Sequence, residues 1–353
     1  MARADSIAKR SALLVLTAIV MAASLPAQPS SAQSKSAQSV ADFYRGKRIN
    51  VVVSSTVGGG YDQYARTLAK HMSRHLPGEP AMVVQNMVGA EGIKAANYLY
   101  TVAERDGTVI GGLSRNIGTV QLFQTGMQFD ARRFSWLGSP QQEVGLFIIS
   151  TRKGLRSLDD VKTREVTASS TARNAPTSVY PRLLNATYGT QLRPIEGYPG
   201  SPESLVAFER GEVEAYVSGG TSAATLGRMT PWFKAGTAKP VLQMGMKRAA
   251  DFPEVPTALE VVTEADHRRM FEILFTDQVM GRPFVAPPGV PADRLAALRA
   301  AFDRTMTDPA FLAEAKSLRM QIDPVTGKEI EDLLGRVYAA TPAVIERIRA
   351  LVK

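Results

Sequence analysis

The stretch VVVSSTVGGGYDQYARTLAKHM, residues 51–72, decides the fold. A β-branched run, Val51-Val52-Val53, leads through a polar turn into Gly58, Gly59 and Gly60 and then straight into an amphipathic segment. There Ala65, Leu68, Ala69 and Met72 take the i, i+3, i+4, i+7 positions of one buried helical face. Strand, glycine loop and helix in succession open an α/β unit. In open α/β sheets ligands bind beyond the carboxyl ends of the strands, where this loop lies. Its glycines let the backbone turn sharply and approach a bound group, and the free N–H groups at the helix start suit an anion. Thr56, Val57, Gly58, Gly59, Gly60, Tyr61 and Asp62 are therefore candidate ligand residues. Two alternatives stand beside that: a plain structural turn for the glycines, and a helix cap for Asp62. Nucleotide readings fail, because the loop closes Gly60-Tyr61-Asp62 without a P-loop lysine and Gln63 stands where a dinucleotide fingerprint needs glycine.

Working outward, strand-like runs alternate with helix-like runs, which points to α/β lobes with mostly parallel sheets flanked by helices. Strands are predicted at 49–53, 81–84 and 108–113, with helices at 64–76 and 92–102. A second series starts near Val144, with strands at 145–149, 165–168, 213–217 and 241–244 and helices at 158–161, 178–188 and 203–210. The strand-like segment 284–286 and helices at 292–306 and 327–351 complete the chain. The expected division is lobe 1 over 42–140 plus 261–353 and lobe 2 over 141–260, with the ligand cleft between them.

Three more predicted strand ends carry small polar residues. Ser114 and Asn116 follow the strand at 108–113; Ser169, Ser170, Thr171, Arg173 and Asn174 follow that at 165–168; Gly219 and Gly220 follow that at 213–217. Hydroxyls, backbone N–H groups and arginines are a good set for carboxylate oxygens. Arg115 and Arg173 read equally as solvated surface arginines.

The N-terminus reads as an export signal over 1–32. Arg3, Lys9 and Arg10 precede the apolar stretch 12–23, which is too short to span a bilayer, and small residues suited to cleavage follow, up to Ser30-Ser31-Ala32 or Ala27. Residues 33–41 read as a flexible leader, and the mature chain is expected to be soluble and periplasmic. Removing the signal takes the formal charge from +9 to about +7. That balance draws anions, but no block of Lys/Arg occurs and nucleic-acid binding is not expected. With no cysteine, there is no thiol nucleophile, disulfide or lipid attachment through an N-terminal cysteine.

Several segments, in order, resemble the receptors of tripartite tricarboxylate transporters, the Bug family of extracytoplasmic solute receptors. VGGGYDQYAR resembles the family's Pro-Gly-Gly-x-x-Asp loop and Ala-Arg helix, and VVQNMVGAEGIKAANYL its Asn-x-x-Gly-Ala-x-Gly segment. ERDGTVIGG, LRPIEGYPGSPESLVAFERGEVEAYVSGG, KRAADFPEVPTALE and FVAPPGVPADRLAALRAAF match further stretches, the second bringing Tyr198 into the site. The resemblance implies a two-lobed periplasmic binding fold of type II character that closes on a small organic carboxylate. It also implies a monomer that docks on membrane permease subunits, with no cofactor. The grip it implies is the loop 54–62 and the serine-rich loop 169–174. Val57 replaces the usual proline, and SSTARNAPT replaces a glycine-rich Ser-Pro-Gly-x-Gly-Ser, so the ligand's identity is not carried over.

No catalysis is expected: G-x-S-x-G and H-E-x-x-H motifs are absent from the sequence. His71 and His75 have a metal-ligand spacing without a nearby third ligand, so no metal is expected. A periplasmic ligand sensor feeding a signalling partner is the alternative to transport, and an exported hydrolase the more distant one.

Overall fold

The computed structural model describes residues 39–221 and 223–352, so the expected signal and most of the leader lie outside the described residues. The last leader residues already belong to a helix over residues 39–44, pinned by buried Val40 and Tyr44. The β-branched run forms strand β1 (Arg48–Val53), next to one edge of a six-stranded sheet and paired on both sides. Val51 and Val53 face one core with Leu68 and Met72, while Val52 faces another with Ala95, Ala96 and Leu99. The two-residue period of a strand thus feeds apolar layers on both faces of the sheet.

The other strands of this sheet are β2 (Ala81–Asn86), β3 (Val109–Gly112), β4 (Ser135–Ser139), β10 (Phe284–Ala286) and β11 (Val325–Thr326), in the order β11-β4-β10-β3-β1-β2. The second sheet holds β5 (Gly145–Ser150), β6 (Val166–Ser169), β7 (Leu192–Ile195), β8 (Ala215–Val217) and β9 (Ala238–Met244), in the order β7-β6-β8-β5-β9. Both sheets are mixed, where the sequence suggested mostly parallel pairing. β1 runs parallel to β2 and β3, and β6 to β7 and β8; β10 is antiparallel to β3 and β4, β11 to β4, and β5 to β8 and β9. β4, β5 and β10 flank the two places where the chain passes between sheets, at 140–144 and 281–283. A strand entered directly from the other sheet is not delivered by a helical crossover, so parallel pairing is not imposed on it.

The helix Ala265–Met280 was not anticipated. Its buried residues Met270, Phe271, Ile273, Phe275, Gln278 and Met280 are spread around the axis, so no single apolar stripe marks it in the sequence. Met270, Phe271, Ile273 and Phe275 pack with Phe147 and Val217 of the second sheet, and Met280 packs with Leu113 and Trp136 of the first. The single helix expected over 327–351 is two, Gly327–Tyr338 and Pro342–Val352. Pro342 supplies no backbone donor and disfavours helical geometry at Thr341. After the break Val344, Ile345 and Ile348 turn onto the core of the second sheet.

The two crossings run against each other. Glu143 N–H donates to the Gln278 carbonyl at 2.9 Å, and Gln142 N–H to the Asp323 carbonyl at 3.1 Å. Gly281 turns the chain there at φ +47°, where a Cβ would sit 2.0 Å from the Gln141 carbonyl oxygen. Gly281→Ala is expected to lose roughly 3 kcal/mol or more of unfolding free energy in urea titrations, from left-handed strain plus overlap. Gly58→Ala, at φ +79° but with open space around it, is expected to lose only about 1 kcal/mol. Equal losses would remove the close approach at 281 as the cause.

Candidate functional site

Beyond β3 the chain winds into a 3-10 turn, Arg115–Gly118. Ile117 and Gly118 are buried beneath it, and Arg115, Asn116 and Thr119 are left on a cavity of about 240 Å³. The second sheet supplies the facing wall: Asn174 and Pro176 at the start of the helix Pro176–Tyr188, Val179 and Tyr180 one turn on, and Gly219 after β8. The helix Ala265–Met280 closes it with Leu274, Asp277 and Gln278. Strand-end loops of both sheets therefore meet at one hollow, with Val120, Phe123, Val179 and Leu274 as its apolar side.

Of the candidate residues, Asn116, Asn174 and Gly219 line this cavity, joined by Arg115. The glycine loop lies beside it. Arg115 N–H donates to the Tyr61 hydroxyl at 3.1 Å, and the Arg282 guanidinium lies over the Tyr61 ring at 4.5 Å. Arg115 and Arg282 both reach Glu143, the first by a short bond and the second at 3.4 Å. Gly60 backs onto the Arg282 guanidinium, and a Cβ at Gly220 would fall 2.2 Å from Glu143 Oε2. Thr56, Val57 and Gly58 are exposed.

Asp62 is occupied within its own loop. Its Oδ2 accepts from Arg66 Nε at 2.9 Å and Gly58 N–H at 2.8 Å, and its Oδ1 from Asn86 Nδ2 at 2.8 Å. The Arg66 bond foremost, with those from Gly58 and Asn86, holds its pKa down at about 2. Asp62 therefore fixes the loop's shape. Ser114 Oγ pairs with Ser54 Oγ at 3.1 Å.

The second-lobe loop is likewise knitted internally. Ser169 Oγ donates to the Ser204 carbonyl, Ser170 Oγ meets Thr177 Oγ1 at 3.0 Å, and Thr171 N–H donates to Thr177 Oγ1 at 3.3 Å. Arg173 is exposed and its carbonyl accepts from Arg182. Tyr198 packs at the edge of the Phe208–Trp232 cluster. His71 and His75 diverge, His71 Nε2 to Glu314 and His75 Nε2 to Asp308. Among the described residues no three His, Asp or Glu side chains converge as a metal site.

The sequence did not single out Asp277, Gln278, Tyr180, Glu143 or Arg282. An acid and an amide side by side, Asp277-Gln278, inside the run FEILFTDQVM were the available signal for the first two. Asp277 accepts from Thr119 Oγ1 at 2.6 Å; burial pushes its pKa up to about 6, against pulls from Thr119 and Arg115. Gln278 Nε2 donates to the Tyr180 hydroxyl at 3.0 Å and the Gly219 carbonyl at 2.7 Å, leaving its Oε1 buried without a partner. A larger hollow of about 490 Å³, on residues 142–144, 247–252 and 321–323, takes none of the candidate ligand residues, and its Lys247 and Arg248 pair with Asp323 and Glu260.

Two sheets whose strand-end loops share one cavity make a two-lobed architecture with a hollow between the sheets. No family model matches the chain. It is 24% identical over 303 residues to a UPF0065 protein of Bordetella bronchiseptica, covering 84% of this chain and 81% of that one. A TctC solute-binding protein from Polaromonas superposes with a TM-score of 0.67 at 17% identity, over 88% of this chain and 99% of that one. The periplasmic binding protein BugD gives 0.52 at 19% identity, over 87% and 98%. The R. palustris protein Rpa4515, solved with adipate, gives 0.53 at 18% identity, over 87% and 97%. The fold is that of the TctC and Bug periplasmic binding proteins, as the sequence motifs implied.

Asp277 gives a pH test. Its ordinary pKa is 3.8 and its folded value about 6, so between these the folded state holds the extra proton. Stability should fall by roughly 1–3 kcal/mol as pH rises from about 4 to about 6, then level off. Urea titrations across that range should show the fall, and Asp277→Asn should flatten it; an unchanged slope would show that other groups cause it.

Proposed function

We propose that this chain is an exported solute-binding protein that captures a small organic carboxylate between its lobes and delivers it to the membrane permease of a tripartite-type transporter. The observation that carries this is the cavity built jointly by the strand-end loops of both sheets, with Arg115, Asn116 and Asn174 on its walls. Capture without chemistry fits the grouping, since Arg115 and the two amides bind and orient an anion. Adipate, held by a solved protein of the same fold, supports the ligand class. Within this proposal one lobe is the six-stranded sheet with its helices. The other is the five-stranded sheet together with the helices Ala265–Met280 and Pro342–Val352, whose apolar residues share its core. The periplasm is the proposed location, from the export signal read over residues 1–32.

Thermal melts of signal-less protein with di- and tricarboxylates, aromatic acids and amino acids test this. A true ligand at ~100 times its Kd should add about 2.7 kcal/mol, and Arg115→Ala should weaken that ligand by about ten-fold or more, the scale of one lost charge-assisted bond. No shift anywhere in the panel would overturn carboxylate capture.

A further inference from the structure

We propose that the cavity selects a carboxylate that also carries an ammonium group on an apolar frame, an apolar amino acid, with Asp277 and Gln278 setting that preference. This rests on the carboxylate-binding reading and sharpens it.

The charged side chains on the cavity wall are Arg115 and Asp277. Arg115 is already answered by Glu143, so the wall offers a dianion one shared cation and a carboxylate of like sign. A second ligand carboxylate would meet Asp277, itself desolvated by burial, where like charges at close range repel. The unmet demand on this wall is for donors. Both Gln278 amide hydrogens are directed away, to Tyr180 and Gly219, which leaves the carbonyl oxygen of this lining residue buried and unpaired. A buried acceptor left in that state is costly, and a ligand N–H relieves the cost. Asp277 stands one residue away on the same helix, one oxygen fixed by Thr119.

An ammonium carries three donors and no acceptor, which suits a carboxylate and an amide oxygen side by side. The ligand's own carboxylate then turns to Arg115 and the Asn116 and Asn174 amides. Val120, Phe123, Val179 and Leu274 receive its hydrocarbon frame. The raised pKa of Asp277 records the same shortage, a carboxylate in a dry wall whose nearest cation is shared.

Isothermal titration of the signal-less chain decides this with matched pairs: L-leucine against 4-methylpentanoate, and L-phenylalanine against 3-phenylpropanoate, with adipate as the dianion. At least one amino acid should bind about ten-fold or more tighter than its ammonium-free partner and than adipate, the scale of a charge-assisted bond. Asp277→Asn should erase that advantage and leave the ammonium-free acid within about two-fold. Ammonium-free acids or adipate binding as tightly as both amino acids would overturn the proposal while carboxylate capture stands. Failure of all five probes would overturn it too, and failure of the wider acid panel as well would remove carboxylate capture itself. Should Asp277→Asn not fold, the wild-type ratios decide alone.

Discussion

The carboxylate of Glu143 lies between the guanidinium groups of Arg115 and Arg282, and the site is arranged around that contact. The three residues come from the turn after β3 and from the two chain crossings. Tyr61 completes a circuit: its ring lies under Arg282 and its hydroxyl accepts the Arg115 backbone N–H. Glu143 is pinned through its main chain as well, by the Gln278 carbonyl. A partly buried ion group of this kind adds little net stability against an apolar substitute, but loss of one partner strands the others. The circuit fixes relative position. It ties the glycine loop, the cavity wall and both crossings to one point.

The sequence carried the fold further than it carried the site. β1 and its glycine loop were legible because three valines, three glycines and a clean helical face follow one another within one stretch. The helix Ala265–Met280 was not legible, because burial on several sides removes the polar face that periodicity depends on. The loops were found because serine, asparagine and glycine mark strand ends; which of their atoms remain available depends on partners far along the chain. Asp62 was read as a candidate ligand residue or a helix cap, and only Asn86, 24 residues on, reveals that its second oxygen is spent. Ser170 is spent in the same way on Thr177. Asn116 and Asn174 keep their side chains at the cavity because the turns bearing them close on backbone bonds.

Attraction and selection are separated in this molecule. The formal charge, +9 for the whole chain and about +7 without residues 1–32, is a long-range property that raises the encounter rate with any anion and weakens with salt. The cavity wall is locally balanced, so what it retains depends on hydrogen-bond complementarity.

The placement of Gln278 and Asp277 has a mechanical consequence. Both lie within one helical turn of Gly281, where the chain passes from one sheet to the other. In a rotation of two bodies about such a pivot, displacement grows with distance from the axis. Groups at the pivot are nearly stationary, while loop tips such as that of Val57 sweep the widest arc. Were Gly281 such a pivot, the acceptor pair would be a fixed jaw. In the proposed capture a ligand seated against it would keep its contacts whether the lobes stand apart or together, and the travelling loops would add theirs afterwards.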